Sequence, residues 1–117
     1  MTVFVDNLWY WRTECVKYVL VIGKQFPDQP TVRVCNMFSD CLNRTQAEFE
    51  LRTMAVAIGA TCQQFREGPH EDWTQQHYDV TEEQRAKAVK LGAVEVDWHE
   101  AQRHWFERTR HDRPYLR

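Results

Sequence analysis

The chain has 117 residues, of which 43% are apolar and 27% are charged, and its formal net charge is −2. This length fits a single domain over residues 1–117 with one modest core, and these proportions are ordinary for a globular protein. The slightly acidic balance argues against a general nucleic-acid coating protein, which would be basic.

The cysteines and the apolar runs indicate a reducing compartment. The four cysteines form no C-x-x-C pair and match no zinc-site spacing. They are Cys15, Cys35, Cys41 and Cys62. The start of the chain has the pattern of a strand rather than of a signal segment, and the longest apolar run, Tyr18 to Ile22, is too short to cross a bilayer. We therefore expect free thiols in a cytoplasmic protein that does not contact a membrane.

Strand patterns dominate the first third of the chain. Thr2–Asp6 alternates β-branched and aromatic residues with others, and Val16–Ile22 is a continuous apolar run. Alternation resumes at Thr31–Cys35, so the second and third strands are predicted to form a hairpin. The loop before that hairpin contains Trp9 and Trp11, whose burial the sequence does not determine.

The first helix has the clearest signals. Thr45 and Glu48 have the spacing of a capping box, and Gly59 is placed to end the helix in the left-handed conformation. Between them lies an apolar stripe at helical spacing. It consists of Ala47, Leu51, Met54, Ala55 and Ile58. A strand over Thr61–Phe65 and a polar loop over Arg66–Gln76 are predicted to follow.

A short strand over His77–Val80 runs directly into a second helix. Thr81 and Gln84 predict the cap of that helix, and Gly92 predicts its end. Ala93–Val96 has the pattern of a last strand.

Asp97 with Glu100 predicts the start of a third helix. Its apolar face is predicted to consist of Trp98, Ala101, Trp105 and Phe106. Residues 110–117 are predicted to be a flexible or partner-docking tail. After a β-rich start, strands alternate with helices, which indicates an α/β protein with a mixed sheet. We expect a single layer of five to six strands with three helices packed on it.

The motif His77-Tyr78-Asp79 is the first candidate for chemistry. Residues i and i+2 of a strand share a face, so His77 and Asp79 project together while Tyr78 points away. An imidazole and a carboxylate on one face can act as acid and base, or bind a metal jointly. The alternative is structural, with Asp79 helping to cap the helix and His77 making a local hydrogen bond.

Two further charged residues lie where α/β proteins bind ligands. Asp6 ends the first strand, a frequent position for metal ligands and equally for turn-forming carboxylates. Arg85 follows the start of the second helix, where it can meet a phosphate-bearing ligand or simply keep the helix face solvated. The chain has no G-x-G-x-x-G, Walker loop, G-x-S-x-G or H-E-x-x-H motif, so those enzyme classes lose support.

Five short segments occur in a particular order along the chain. They are V-F-V-D from Val3, C-N-M-F-S-D from Cys35, E-L from Glu50, H-Y-D-V from His77 and A-V from Ala88. This order resembles the small bacterial and phage family labelled domain of unknown function 4031, whose signature is a His-Tyr-Asp motif. The resemblance covers residues 1–7 and about 33–97, and it implies no established activity.

The resemblance also implies which positions to compare. Members of that family often carry a second acid after the first-strand aspartate, a histidine before the methionine of the third strand and a histidine after the leucine of the first helix. The corresponding residues of this chain are Asn7, Asn36 and Arg52. Replacing a carboxylate and two imidazoles removes potential metal ligands. What remains is a polar, amide-rich pocket with Arg52, which is better suited to holding an anion.

We therefore predict a small phage or bacterial protein, in the cytoplasm of a bacterial host, that binds an anionic small molecule without turnover and without a cofactor. A nucleotide or a nucleotide-derived defence signal is the expected class of ligand, with Trp9, Trp11 or Trp73 stacking on the base. The predicted ligand-binding residues are Asp6, Asn7, Asn36, Arg52, His77, Asp79 and Arg85. The prediction requires that the carboxylates, the amide and the imidazole gather at one cleft.

Two alternatives stay open. The first is a metal-dependent phosphoesterase or nuclease in which Asp6, His77 and Asp79 hold a divalent ion and form the catalytic centre. The second is an inhibitor-type interaction module that docks a host protein through its aromatic loop and its Trp- and Arg-rich C-terminal helix, since Trp and Arg dominate interface hot spots. Aromatic surfaces of this kind would also favour homo-oligomers.

Overall fold

In the computed structural model of the protein, residues 2–12 and 32–113 are described, apart from the side chains of residues 11, 12, 32 and 69. The described residues form a six-stranded mixed sheet that is not closed. Its strands are β1 (Val3–Val5), β2 (Tyr10–Arg12), β3 (Val32–Ser39), β4 (Phe65–Gly68), β5 (Asp72–Thr81) and β6 (Val94–Glu95). The strand predicted over Val16–Ile22, and therefore its hairpin, lies outside the described residues.

Strand β3 is the centre of the sheet, whose order is β4-β5-β3-β1-β6. On one side β3 pairs antiparallel with β5, Asn36 lying opposite Asp79. On the other side β1 pairs with the second half of β3 and β2 with its first half. Residues 6–9 connect β1 to β2, and the backbone N–H of Asp6 donates to the carbonyl of Asn36 over 3.0 Å. Asp6 therefore lies beside the middle of β3.

Within the described residues, three helices cover the two faces of the sheet: α1 (Arg44–Ile58), α2 (Glu82–Lys90) and α3 (Trp98–Asp112). The main core joins α1 and α2 to one face and includes Val5, Met37, Leu51, Tyr78 and Ala88. A smaller core on the other face joins α3 to β1 and β3 and includes Phe4, Phe38, Val96 and Ala101. The predicted fold class, a mixed sheet with three helices packed on it, is confirmed.

The helix ends mostly follow the sequence signals. The caps at Thr81 and Asp97 and the left-handed Gly59 (φ 81°) are confirmed. The cap predicted at Thr45 is wrong, because the Asn43 side chain accepts the backbone N–H of Gln46 over 3.0 Å and starts α1 two residues earlier. Asparagine is as good an N-cap as threonine, so the earlier residue prevails.

The predictions for Thr61–Phe65 and Arg66–Gln76 are both wrong. Cys62–Gln64 is a short 3-10 turn, and the supposed polar loop is the hairpin of β4 and β5, joined by a 3-10 turn over Pro69–Glu71. The hairpin accommodates its polar residues because other side chains satisfy them. The buried Gln76, for example, donates to Glu48 over 2.9 Å.

The buried face of α3 differs from its predicted composition. Phe106 is 63% exposed, so its predicted place on the apolar face is wrong. Arg108 is buried instead and donates hydrogen bonds to the backbone carbonyls of Ser39, Thr74 and Gln76. Burial lowers the pKa of Arg108 to about 10. An arginine can take this place because its long side chain carries five donors to carbonyls that would otherwise be buried without partners.

Residues 110–112, predicted as the start of a tail, belong to α3, and Asp112 accepts a hydrogen bond from the Trp73 indole over 3.1 Å. Residues 114–117 lie outside the described part of the chain. Cys35, Cys41 and Cys62 are free thiols. Among the described residues, no helix has the length and apolar character needed to span a membrane.

Candidate functional site

A buried cluster of polar side chains lies on the face of the sheet that α3 covers. We call it the polar cluster, and its members are Asp6, Tyr10, Asn36, Arg66, His77 and Asp79. Asp6 accepts from both the backbone N–H (3.0 Å) and the amide Nδ2 (2.8 Å) of Asn36, and from the backbone N–H of Leu8 (3.2 Å). Burial raises the pKa of Asp6, while the hydrogen bonds from Asn36 and Leu8 act in the opposite direction.

Asp79 is the second carboxylate of the polar cluster and is fully buried. The Tyr10 hydroxyl lies 3.1 Å from Asn36 Oδ1 and also forms a hydrogen bond with Asp79 Oδ1. Arg66 Nε lies 3.4 Å from Asp79 Oδ2. A continuous chain of polar contacts therefore runs from Asp6 through Asn36 and Tyr10 to Asp79.

His77 connects this series of polar contacts to the protein surface. Its Nε2 lies 3.3 Å from Asp79 Oδ1, its Nδ1 lies 3.0 Å from the Gln75 carbonyl, and its side chain is 18% exposed. Both ring nitrogens thus face oxygen atoms, whereas a neutral imidazole has only one N–H. The ring therefore lies between the surface and a buried carboxylate, which is the position of a residue that can pass a proton between them.

The polar cluster does not form a recognisable metal centre. Within the described residues, no group of three metal-binding side chains converges on one point. Asp6 already accepts three protein N–H groups, and the basic side chains of Arg66 and His77 lie against Asp79. A cation would have to displace these donors, so the residues present fit an internal hydrogen-bond network better than a divalent ion.

The structure places the other predicted site residues elsewhere. Asn7 is exposed, and its Oδ1 accepts the backbone N–H of Trp98 at the start of α3 over 2.9 Å. Arg85 donates to the backbone carbonyl of Asp6 (3.0 Å) and to the Glu95 carboxylate (2.7 Å). Arg52 lies on α1, which covers the opposite face of the sheet. Four of the seven predicted residues are thus brought together, namely Asp6, Asn36, His77 and Asp79.

Arg52 lines a cavity of about 330 Å³ between α1 and the β4–β5 hairpin. We call it the α1 pocket. Its lining residues are Arg44, Glu48, Leu51, Arg52, Cys62, Phe65, Glu67, Gln76 and Tyr78. Tyr78, the middle residue of the His-Tyr-Asp motif, contributes to this pocket because strand alternation turns it away from His77 and Asp79. The motif therefore supplies side chains to both faces of the sheet.

The charges of the α1 pocket differ in how far other side chains neutralise them. Glu48 accepts from Arg44 Nε (3.1 Å) and Gln76 Nε2 (2.9 Å), and these hydrogen bonds lower its pKa. Burial raises the pKa of the Tyr78 phenol, and the nearby Arg52 guanidinium acts in the opposite direction. Among the described residues, neither Arg52 nor Glu67 belongs to an ion pair. Two opposite charges therefore border the pocket outside any ion pair of the described residues, although Arg52 also acts on Glu48 and Glu67 on Arg44.

Sequence reasoning missed several of these residues. Arg66 reaches Asp79 because it pairs with His77 across the β4–β5 hairpin, and the sequence pattern predicted a loop there. Tyr10 begins β2, in a segment that the sequence predicted to be a loop and did not place. Tyr78 could have been found from the sequence. The strand alternation that places His77 and Asp79 on one face also places Tyr78 on the opposite face.

The aromatic residues predicted for binding or docking are mostly engaged within the protein. Arg33 lies over the half-buried Trp9 ring at 4.4 Å, and Trp73 is buried. Trp105 packs edge-on against Phe38. The side chain of Trp11 lies outside the described part.

The large apolar side chains that are most exposed lie instead on α1. Phe49 and Val56 are each 73% exposed. Phe49 borders a groove of about 680 Å³ together with Leu91 and Val94. The interaction module stays a prediction.

The family described as "Protein of unknown function (DUF4031)" matches residues 19–111. This range includes β3, the β4–β5 hairpin, α1, α2 and α3 up to its penultimate residue, and with them four of the six residues of the polar cluster and the whole α1 pocket. No curated protein and no solved structure matches the chain. Because the match covers well over half of its length, the chain belongs to the DUF4031 family of proteins of unknown function.

Proposed function

We propose that the protein binds a small anionic ligand, such as a nucleotide, in the α1 pocket and does not transform it. The observation that supports this most is the position of Arg52. Its guanidinium lines the pocket beside the Tyr78 phenol and has no ion-pair partner among the described residues. A guanidinium presents a planar set of donors that matches phosphate and carboxylate oxygens.

The shape and lining of the α1 pocket suit a ligand of this kind. Its volume of about 330 Å³ is at the lower end of the range for small-molecule sites, which combine apolar walls with a few polar groups. Leu51 and Phe65 supply apolar surface next to Arg52. A flat base can pack on such surface while its phosphate meets the guanidinium, and stacking on an aromatic ring stabilises a bound base by about 1–3 kcal/mol.

The separation of the two sites supports binding without turnover. The groups best able to move a proton, His77 and Asp79, lie on the α3 face of the sheet. Arg52 and the rest of the α1 pocket lie on the other face. A ligand held by Arg52 is therefore kept from the acid–base pair by the sheet itself.

A biological role follows if the protein is a phage product, as its family resemblance implies. By holding a nucleotide-derived defence signal, the protein would lower the free concentration of that signal in the bacterial cytoplasm. Binding without turnover is sufficient for this role when the protein is more abundant than the signal.

The metal-dependent phosphoesterase is the alternative, with Asp6, His77 and Asp79 as metal ligands. The geometry supports it less, because both carboxylates already accept hydrogen bonds from protein groups and two basic side chains lie against Asp79. The two functions differ in an observable way, since only the enzyme consumes its ligand.

Calorimetric titration with uridine monophosphate tests the proposal, with uridine as the matched probe that lacks the anion. We expect saturable binding of the monophosphate and at least about 10-fold weaker binding of uridine. Arg52→Gln should weaken monophosphate binding by about 10-fold or more, because a hydrogen bond to a charged group contributes about 1.5–3 kcal/mol. Arg103→Gln removes the same charge from an exposed position on α3 and should bind as the wild type does.

Two results would overturn the proposal: absence of saturable binding, or equal affinity in the wild type and Arg52→Gln. Recovery of the nucleotide after incubation with Mg²⁺ tests turnover separately. We expect intact uridine monophosphate, and its hydrolysis by the wild type but not by Asp79→Asn would establish the enzyme instead.

A further inference from the structure

Glu67 gives the α1 pocket a hydrogen-bond acceptor, which an anionic group of a ligand would not contact. Its carboxylate accepts one hydrogen bond, a long one of 3.4 Å from Gln76 Nε2. The other acid of the pocket, Glu48, accepts shorter hydrogen bonds from both Gln76 and Arg44. Glu67 is therefore the acceptor of the pocket with the most unused capacity, since an ionised carboxylate has about four lone-pair sites.

Glu67 and Arg52 lie at different levels along the pocket. Arg52 contacts Tyr78, whereas Glu67 contacts Gln76, two residues earlier on β5. On α1, the charge of Glu67 acts on Arg44, which lies two helical turns before Arg52. Because a strand rises by about 3.3 Å per residue, the backbone positions of Gln76 and Tyr78 are roughly 7 Å apart along β5, and Glu67 and Arg52 meet the strand at these two levels.

We infer that the ligand of the α1 pocket is a nucleotide whose base carries an exocyclic amine, as cytosine does. The phosphate would lie at Arg52, and the amine would donate to Glu67. This inference rests on the proposed function, and it adds the chemical group that selects one anion over another.

The selection follows from donor and acceptor chemistry. An ionised carboxylate only accepts hydrogen bonds, and a glutamate that accepts from the N4 amine of cytosine is a recognised pairing. Uracil has a carbonyl oxygen in place of that amine. At that position two acceptor oxygens would face each other, and the carboxylate would gain no hydrogen bond from the exocyclic group.

Cytidine monophosphate and uridine monophosphate form the matched pair of probes. The two nucleotides have the same size and charge, and they differ only in the exocyclic group on C4 and in the proton on the adjacent ring nitrogen N3. Calorimetric titration of the full chain should give at least about 10-fold tighter binding of the cytidine nucleotide, within the range expected for one discriminating contact. In Glu67→Gln the preference should fall to about twofold or less, because an amide both donates and accepts. Glu83→Gln, an exposed position on α2, is the matched control and should keep the wild-type preference.

The outcomes separate this inference from the proposed function. Equal affinity for the two nucleotides, with both weakened by Arg52→Gln, would overturn the inference and leave the proposed function standing. A cytidine preference that persists in Glu67→Gln would also overturn it. Absence of saturable binding for both nucleotides would overturn the inference and the proposed function together. A thermal unfolding curve like that of Glu83→Gln would show that Glu67→Gln is folded.

Discussion

The two faces of β5 carry polar residues in opposite situations. On the α3 face, His77 and Asp79 belong to a network whose hydrogen-bond partners are other protein groups. On the α1 face, Tyr78 and Arg52 border a pocket open to solvent in which two opposite charges have no ion-pair partner in the described part of the chain. Three consecutive residues of one motif thus serve two environments.

This comparison indicates that the polar residues on the α3 face stabilise the fold, whereas those on the α1 face are positioned to bind a ligand. Removing one member of a buried polar network leaves its partners buried without a hydrogen bond, which is costly. Removing a charge that borders an open pocket leaves groups that water can solvate. We therefore expect changes on the α3 face to affect unfolding and changes on the α1 face to affect binding.

The largest effect is expected for Asp79→Ala. This change leaves Tyr10, Arg66 and His77 without the carboxylate that they contact. Breaking a buried ionic network by removing one partner typically costs about 3–5 kcal/mol, so we expect a loss of that order in the free energy of unfolding from urea titration. A loss below about 1 kcal/mol would mean that the polar cluster is not a coupled network.

A matched pair of hydroxyl deletions compares the two faces directly. Tyr10→Phe removes the hydroxyl that contacts Asn36 and Asp79, and it should cost about 1–3 kcal/mol. Tyr78→Phe removes a hydroxyl that contacts Arg52 beside the pocket, and it should cost less than about 1 kcal/mol. Urea unfolding of the two variants and the wild type at the same pH measures both losses of unfolding free energy. The reverse order would break the comparison between the two faces.

A smaller effect is expected in the pH dependence of stability. Burial raises the pKa of Asp6 above its ordinary value of 3.8. The protonated form is thus favoured in the folded state. The contribution of Asp6 to stability is therefore fully present below pH 3.8 and is lost as the pH rises through the folded-state pKa. Asp6→Asn lacks this dependence.

Urea unfolding of both proteins at several values of pH measures the effect. The stability of the wild type relative to Asp6→Asn should decrease as the pH rises from below 3.8 and should level off above the folded-state pKa of Asp6. An increase over the same range would show that the hydrogen bonds from Asn36 outweigh burial.

Much of the fold was predictable because its signals are local. The caps at Thr81 and Asp97 and the left-handed Gly59 each depend on a few neighbouring residues, and the structure confirms them. The β4–β5 hairpin was not predictable, because its polar residues are satisfied by distant partners. Arg108 of α3, for example, donates to the carbonyls of Thr74 and Gln76.

The candidate site was predictable only within one strand. Alternation along β5 placed His77 and Asp79 on one face, as the structure has them. No sequence pattern indicated that α1 covers the other face, which separates Arg52 from that pair. Which face a helix covers depends on the connections of the whole sheet, and sequence periodicity reports only that the helix has a buried side.

Titration of uridine monophosphate into Arg52→Gln and His77→Gln, side by side with the wild type, tests the central claim most directly. If the ligand is held in the α1 pocket, Arg52→Gln weakens binding by about 10-fold or more. His77→Gln, across the sheet, stays within about twofold of the wild type. Loss of binding in His77→Gln with wild-type affinity in Arg52→Gln would contradict this account and assign the ligand to the polar cluster.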